Sequence, residues 1–161
     1  MIDVEDPARV AVLTQTTLAV DETGAVVDTL RERFPDLRLP PSADICYATQ
    51  NRQDAVRALA VDCELVLVIG SQNSSNSRRL VEVARRAGTR AELIEHGEEI
   101  DPAMLIGVTS VGITAGASAP ESLVQDAISA LAGLGALRVS ERSVAEEDVQ
   151  FKLPKPLRVA C

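Results

Sequence analysis

Two segments of this sequence share one design: an apolar run of strand length, then small hydroxyl or amide residues, then a helix start. Leu65-Val66-Leu67-Val68-Ile69-Gly70 leads into Ser71-Gln72-Asn73-Ser74-Ser75-Asn76-Ser77. Val111-Gly112-Ile113-Thr114 leads into Ala115-Gly116-Ala117-Ser118-Ala119-Pro120. A short unbroken apolar run fits a strand buried on both faces. Such a strand needs helices above and below it, which points to an α/β architecture.

The rest of the pattern agrees. Residues 10–13 predict a short buried strand, and Asp21 a cap for a helix to about Arg33, stopped by Pro35. Residues 35–44 contain three prolines and read as a connector. Thr49 predicts a cap for a helix over 51–60, followed by a strand over 64–70 and a polar turn over 71–77. A helix then runs to Ala87, stopped by Gly88, with a strand over 89–94 and a short helical segment over 100–105. A strand over 108–114, a small-residue loop, a helix from Pro120 to Leu134 and a last strand over 136–139 complete the series. The expected fold is α/β, a three-layer α/β/α arrangement with a small, mainly parallel sheet. The stretch 140–161, with Phe151-Lys152-Leu153-Pro154-Lys155-Pro156, has no clear period and reads as a docking arm or a frayed end.

Composition narrows the function. The chain has 161 residues, enough for one domain or one domain with an attached fragment. Lys and Arg number 16 against 24 Asp and Glu, a net charge of −8, opposite to the basic patch of a nucleic-acid binder. Phe34, Tyr47 and Phe151 are the aromatics, with no Trp, so stacking platforms for bases are scarce. The longest apolar runs are too short to span a membrane. The first residues lack the basic and apolar regions of a signal peptide, so a cytoplasmic location is expected. Cys46, Cys63 and Cys161 are odd in number, widely spaced and outside any CxxC, which is no disulfide framework.

Chemistry is expected at the two strand-to-helix loops. Ligands in open α/β sheets bind outside the carboxyl ends of the strands. Free N–H groups and the helix dipole favour an anion there, and Ser or Asn side chains add donors. Ser74, Ser75 and Asn76 offer more donors than one cap requires, so a phosphate or diphosphate site stands beside plain turn and capping chemistry. Neither GxGxxG nor a P-loop is present. Thr14, Thr16 and Thr17 follow the first strand as a third hydroxyl wall or as β-edge packing. Cys46 precedes a helix, where the thiolate that binds metals is favoured, although a lone cysteine is also a common inert residue. Cys63 reads as core packing and His96, the single histidine, as a solvated loop residue. One chain therefore has little general acid–base equipment of its own.

At these same residues the sequence resembles the LytB/IspH family of 4-hydroxy-3-methylbut-2-enyl diphosphate reductases. Matching blocks run in family order: Thr14-Gln15-Thr16-Thr17-Leu18 with Val20-Asp21-Glu22-Thr23, then Asp44-Ile45-Cys46-Tyr47-Ala48-Thr49 with Asn51-Arg52-Gln53. Gly70-Ser71 with Asn73-Ser74-Ser75-Asn76-Ser77, Thr114-Ala115-Gly116-Ala117-Ser118-Ala119-Pro120 and Val149-Gln150-Phe151-Lys152-Leu153-Pro154 follow. The resemblance implies the last step of the non-mevalonate isoprenoid route, reductive removal of an allylic hydroxyl to give isopentenyl and dimethylallyl diphosphates. It implies three similar α/β domains around a 4Fe-4S cluster with one iron open to substrate, and an electron donor such as ferredoxin or flavodoxin. By position, Cys46 resembles a cluster ligand, and Thr16 the catalytic threonine near the reacting end. Thr17, Ser74, Ser75, Asn76 and Ser118 resemble the substrate-binding residues.

The resemblance covers the second half of the family only. Residues 1–45 match the end of a second α/β domain, 46–139 a third, and 140–161 a closing tail. The family's first half supplies two more cluster cysteines, substrate-facing histidines and a catalytic glutamate. Cys63, Cys161 and His96 do not stand in those positions. One cysteine does not hold a cubane, so activity is expected to need an N-terminal half. A truncated product, one subunit of a split enzyme with a partner chain, and a degenerate paralogue that only binds diphosphate all remain open.

Overall fold

Leu65–Ile69 (β1) is the middle strand of a three-stranded parallel sheet, between Arg90–Ile94 (β2) and Val111–Ala115 (β3). Leu65 is in register with Arg90 and Val111, and Ile69 with Ile94 and Ala115. The computed structural model describes residues 3–18, 20–40 and 46–144, with backbone only at 20–22. The expected tail beyond 144, Cys161 and the last part of the expected connector, 41–44, lie outside the described residues.

Every residue of β1 is buried. The pleat sends alternate side chains to opposite faces. Val66 and Val68 pack with Val56, Leu80, Val81, Val83 and Ala84 from the helices Tyr47–Asp62 (α2) and Ser75–Arg86 (α3). Leu65, Leu67 and Ile69 pack with Ile94, Ile100 and Ala127, the last on the helix Glu121–Leu134 (α4). The result is the expected three-layer α/β/α arrangement. Each buried Leu, Val or Ile contributes roughly 1.5–3 kcal/mol of transfer free energy.

Boundary chemistry is local. Ser74 caps α3, its hydroxyl accepting from the Ser77 N–H at 3.2 Å. Gly88, at φ 91°, takes the left-handed turn after α3. Two guanidinium nitrogens of Arg85 then donate to the Ala91 carbonyl at 3.0 and 2.7 Å, holding α3 to β2. At the same amino end of the sheet, the Glu64 carboxylate accepts from Thr109 N–H at 2.6 Å, Thr109 hydroxyl at 3.0 Å and Ser110 N–H at 3.3 Å.

Several boundaries differ from expectation. The helix expected over 51–60 starts at Tyr47, because the Cys46 carbonyl accepts from Thr49 N–H at 2.9 Å and Gln50 N–H at 3.0 Å. Thr49 is therefore buried inside the helix and caps nothing. Ser75, Asn76 and Ser77 belong to the first turn of α3 and not to the preceding loop. The helix Val20–Arg33 (α1) begins one residue before Asp21. The strand expected over 10–13 is one parallel bridge, Ala11 to Arg38, with Val12 N–H and Arg38 N–H donating at 3.0 Å each. A strand needs a neighbour along its length, and Leu13 beyond the bridge is 82% exposed. Residues 136–139 form no strand and are exposed, since no sheet edge pairs with them.

Three hydrogen bonds to a carboxylate favour its ionised form. Bonds from the Thr109 backbone, its hydroxyl and the Ser110 backbone lower the Glu64 pKa from its ordinary 4.5, against an opposing desolvation. The folded group titrates below the unfolded one, so its contribution is complete above about pH 4.5 and is lost as pH falls through the folded value. The thermal midpoint of Glu64→Gln should lie below wild type by a constant amount from pH 7 to 5. That gap should narrow towards pH 3. A gap of the same size at pH 3 would show that the ionised carboxylate adds nothing to the clamp.

Candidate functional site

The loops after β1 and β3 leave the sheet side by side, because Ile69 and Ala115 share a register. They are joined directly. The Gly116 N–H donates to the Ile69 carbonyl at 2.8 Å. Between them lies the Ser77 side chain, 1% exposed. A Cβ built on Gly70 or on Gly116 would stand 2.2 Å from the Ser77 Oγ. Both glycines are required by close approach to this hydroxyl.

Ser77 also sets the chemistry of Ser74. Its N–H and its hydroxyl both donate to Ser74 Oγ, at 3.2 and 3.0 Å. A hydroxyl has two acceptor positions and one proton. With both acceptor positions filled, the Ser74 proton is left to donate outward. In the same turn, helix geometry leaves the Ser75 and Asn76 N–H groups without an intrahelical partner. Asn76 is 8% exposed, and among the described residues neither Nδ2 nor Oδ1 of its amide has a hydrogen-bond partner. A buried orphan amide costs roughly 1–3 kcal/mol unless a water, a ligand or a further chain segment meets it. On the β2 side the loop is braced by Glu95, whose carboxylate accepts from the Gln72 N–H at 2.8 Å.

The start of α2 reaches the same end of the molecule. Only Cys63 and Glu64 separate α2 from β1, so helix and strand run antiparallel. Sixteen helical residues span about 24 Å and a five-residue strand about 17 Å, which carries the helix start past the carboxyl end of β1. Cys46 stands there as N-cap, exposed, with no side-chain capping bond. Its N–H donates to the Thr16 carbonyl at 3.4 Å. The Thr17 and Ser75 hydroxyls are 3.5 Å apart. The Gln53 Nε2 donates to the Leu18 carbonyl at 3.0 Å.

The fold thus gathers Thr16, Thr17, Cys46, Ser74, Ser75 and Asn76 at one end, with exposed Ser118 in the β3–α4 loop beside Gly116. Cys63 lies at the other end of the sheet, and His96 follows β2 beside Glu95 without joining the cluster of predicted residues. Cys63 follows α2 at the amino end of the sheet, its sulfur 3.2 Å from a Cβ built on Gly112. His96 is an exposed cap of a short 3-10 turn. Four residues were given no role of their own by sequence reasoning: Ser77, Gly70, Gly116 and Gln53. The signal for Gln53 was available, since it shares a stripe with Thr49, Val56 and Ala60 on the buried side of α2.

A LytB protein family model matches residues 1–132. The chain belongs to the LytB family. A 4-hydroxy-3-methylbut-2-enyl diphosphate reductase of Marinobacter nauticus is 54% identical over 158 residues, 98% of this chain and 50% of the relative. One of Mycolicibacterium gilvum is 57% identical over 158 residues, covering 98% of this chain and 47% of its own. Among solved structures, the E-1-hydroxy-2-methyl-but-2-enyl-4-diphosphate reductase of Plasmodium falciparum superposes with a TM-score of 0.81 at 31% identity. That match covers 95% of this chain and 49% of the other. This LytB chain spans about half the length of the curated relatives it matches.

The family's iron–sulfur cluster can be tested against the residues present. Cys46 offers an exposed thiol free of capping bonds, suited to one corner of a cluster. Among the described residues no group of three or more His, Cys, Asp or Glu gathers as a metal site. The described residues fit one ligand position and do not by themselves make a cluster site.

Gly116→Ala and Gly70→Ala should each destabilise the protein by roughly 1–3 kcal/mol through overpacking, measured by urea unfolding. Ser77→Ala should largely rescue Gly116→Ala, because the next side-chain contact, Ser77 Cβ, is 3.4 Å away. It should not rescue Gly70→Ala, where that Cβ is at 2.8 Å. Equal rescue of both would refute the wedge.

Proposed function

We propose that this chain forms one wall of a 4-hydroxy-3-methylbut-2-enyl diphosphate reductase site, holding the diphosphate at the first turn of α3. The observation that carries this is the buried amide of Asn76, unpartnered among the described residues, beside a Ser74 hydroxyl left to donate. A diphosphate is an acceptor on all sides, and this turn presents donors. The N–H groups of Ser75 and Asn76, the hydroxyls of Ser74, Ser75 and Ser118, and the Asn76 amide would meet its oxygens, with the helix dipole in support. Thr17 would steady the substrate through its contact with Ser75. The rest of the substrate would lie towards Cys46, where Thr16 meets the carbon end that loses its hydroxyl.

Cys46 would be one ligand of the 4Fe-4S cluster, with residues 46–139 serving as one of the α/β units around it. When bound, the cluster supplies electrons drawn from a ferredoxin or flavodoxin. In the reaction two electrons and two protons enter, the allylic C–O bond breaks, the oxygen leaves as water, and isopentenyl or dimethylallyl diphosphate remains. This chain binds and orients. The remaining ligands and the acid–base groups would come from the half of the relatives' length that it does not span. No helix among the described residues is long and apolar enough to cross a membrane.

Replacing Asn76 by Leu separates binding from folding. The substitution removes a buried amide with no partner, so thermal stability should stay level or rise. Affinity for inorganic pyrophosphate, by titration calorimetry, should fall roughly tenfold or more, since hydrogen bonds to charged groups are worth about 1.5–3 kcal/mol. Undiminished affinity in Asn76→Leu would sink the proposed diphosphate site.

A further inference from the structure

Residues 14–18 carry Thr16 and Thr17 yet form neither helix nor strand. Irregular backbone that must place a side chain depends on tethers from rigid elements. The Cys46 N–H bond to Thr16 is 3.4 Å and the Thr17–Ser75 contact is 3.5 Å, both long for hydrogen bonds. The bond from Gln53 Nε2 to the Leu18 carbonyl is 3.0 Å, the shortest of these. It bridges 35 residues of sequence and comes from a side chain with no exposed surface, two turns along α2 from Cys46.

Gln53 is a costly residue for that place. Among the described residues its Oε1 is buried without a partner. An apolar side chain on the Thr49, Val56 and Ala60 stripe would serve helix packing without that penalty. What the amide provides, and an apolar side chain does not, is the bond across to Leu18.

We infer that Gln53 is a positioning residue whose amide locks residues 14–18 against α2 and so sets Thr16 and Thr17 beside Cys46. Its consequence for substrate rests on the diphosphate reading above, whereas the tether itself rests on geometry alone. Gln53→Met keeps the volume and length of the side chain and removes both amide atoms. If that variant does not fold, Gln53→Leu, which removes both amide atoms with a smaller apolar side chain, takes its place.

Two measurements on the full chain decide the matter. In the variant, amide hydrogen exchange over residues 14–18 should accelerate by about tenfold or more while the amides of β1 keep their protection. Affinity for inorganic pyrophosphate should stay within about twofold, while affinity for 4-hydroxy-3-methylbut-2-enyl diphosphate should fall roughly tenfold, because only the latter reaches Thr16. Unchanged exchange over 14–18, or exchange rising equally across the core, would overturn the tether. Equal loss of both ligands would overturn its role in placing Thr16. If the unaltered chain binds neither ligand, the diphosphate reading fails, and the exchange measurement still decides the tether.

Discussion

Strand β1 keeps no face in water, and the molecule is arranged around that constraint. Its even-numbered residues require α2 and α3, and its odd-numbered residues require α4 and the segment near Ile100. Both neighbouring strands pair with β1 in register along its whole length. Parallel strands about 4.8 Å apart must then release their following loops side by side. The loops after β1 and β3 have no room for ordinary side chains where they meet. Two glycines and one small hydroxyl resolve that crowding, and the same hydroxyl directs the proton of Ser74 outward.

A chain with a net charge of −8 is a poor attractor of anions at long range. The candidate site does not depend on net charge. It relies on oriented short-range groups: the first N–H groups of α3, a hydroxyl whose acceptor positions are full, and a buried amide. Such groups are fixed by the fold before any ligand arrives, so little reorganisation accompanies binding. The Glu95 carboxylate close by accepts from Gln72 and thereby holds the loop.

The start of α2 links two parts of the chain that are far apart in sequence. The 14–18 segment lies against Cys46, Gln53 and Ser75, which places hydroxyls, a thiol and the α3 turn at one end of the sheet. Only one thiol stands there among the described residues, consistent with a chain that spans about half of its relatives.

The layers and the location of the loops are legible in the residues alone. The apolar run 65–69, the glycine after it and the polar residues beyond announce a buried parallel strand feeding a helix, because period and composition are local properties. The family blocks pointed to the same residues. Helix starts were less legible: Cys46 is the cap of α2 and Thr49 is not, since a carbonyl accepting two N–H groups outweighs a side chain's capping preference. The strand expected at 10–13 shrank to one bridge because pairing depends on a neighbour and not on propensity. The wedge of Ser77 between Gly70 and Gly116, the burial of the Asn76 amide with no partner among the described residues, and the hold of Gln53 on Leu18 arise only from packing. Each of these depends on distances between residues remote in sequence, and distance is set by packing, which no local pattern encodes.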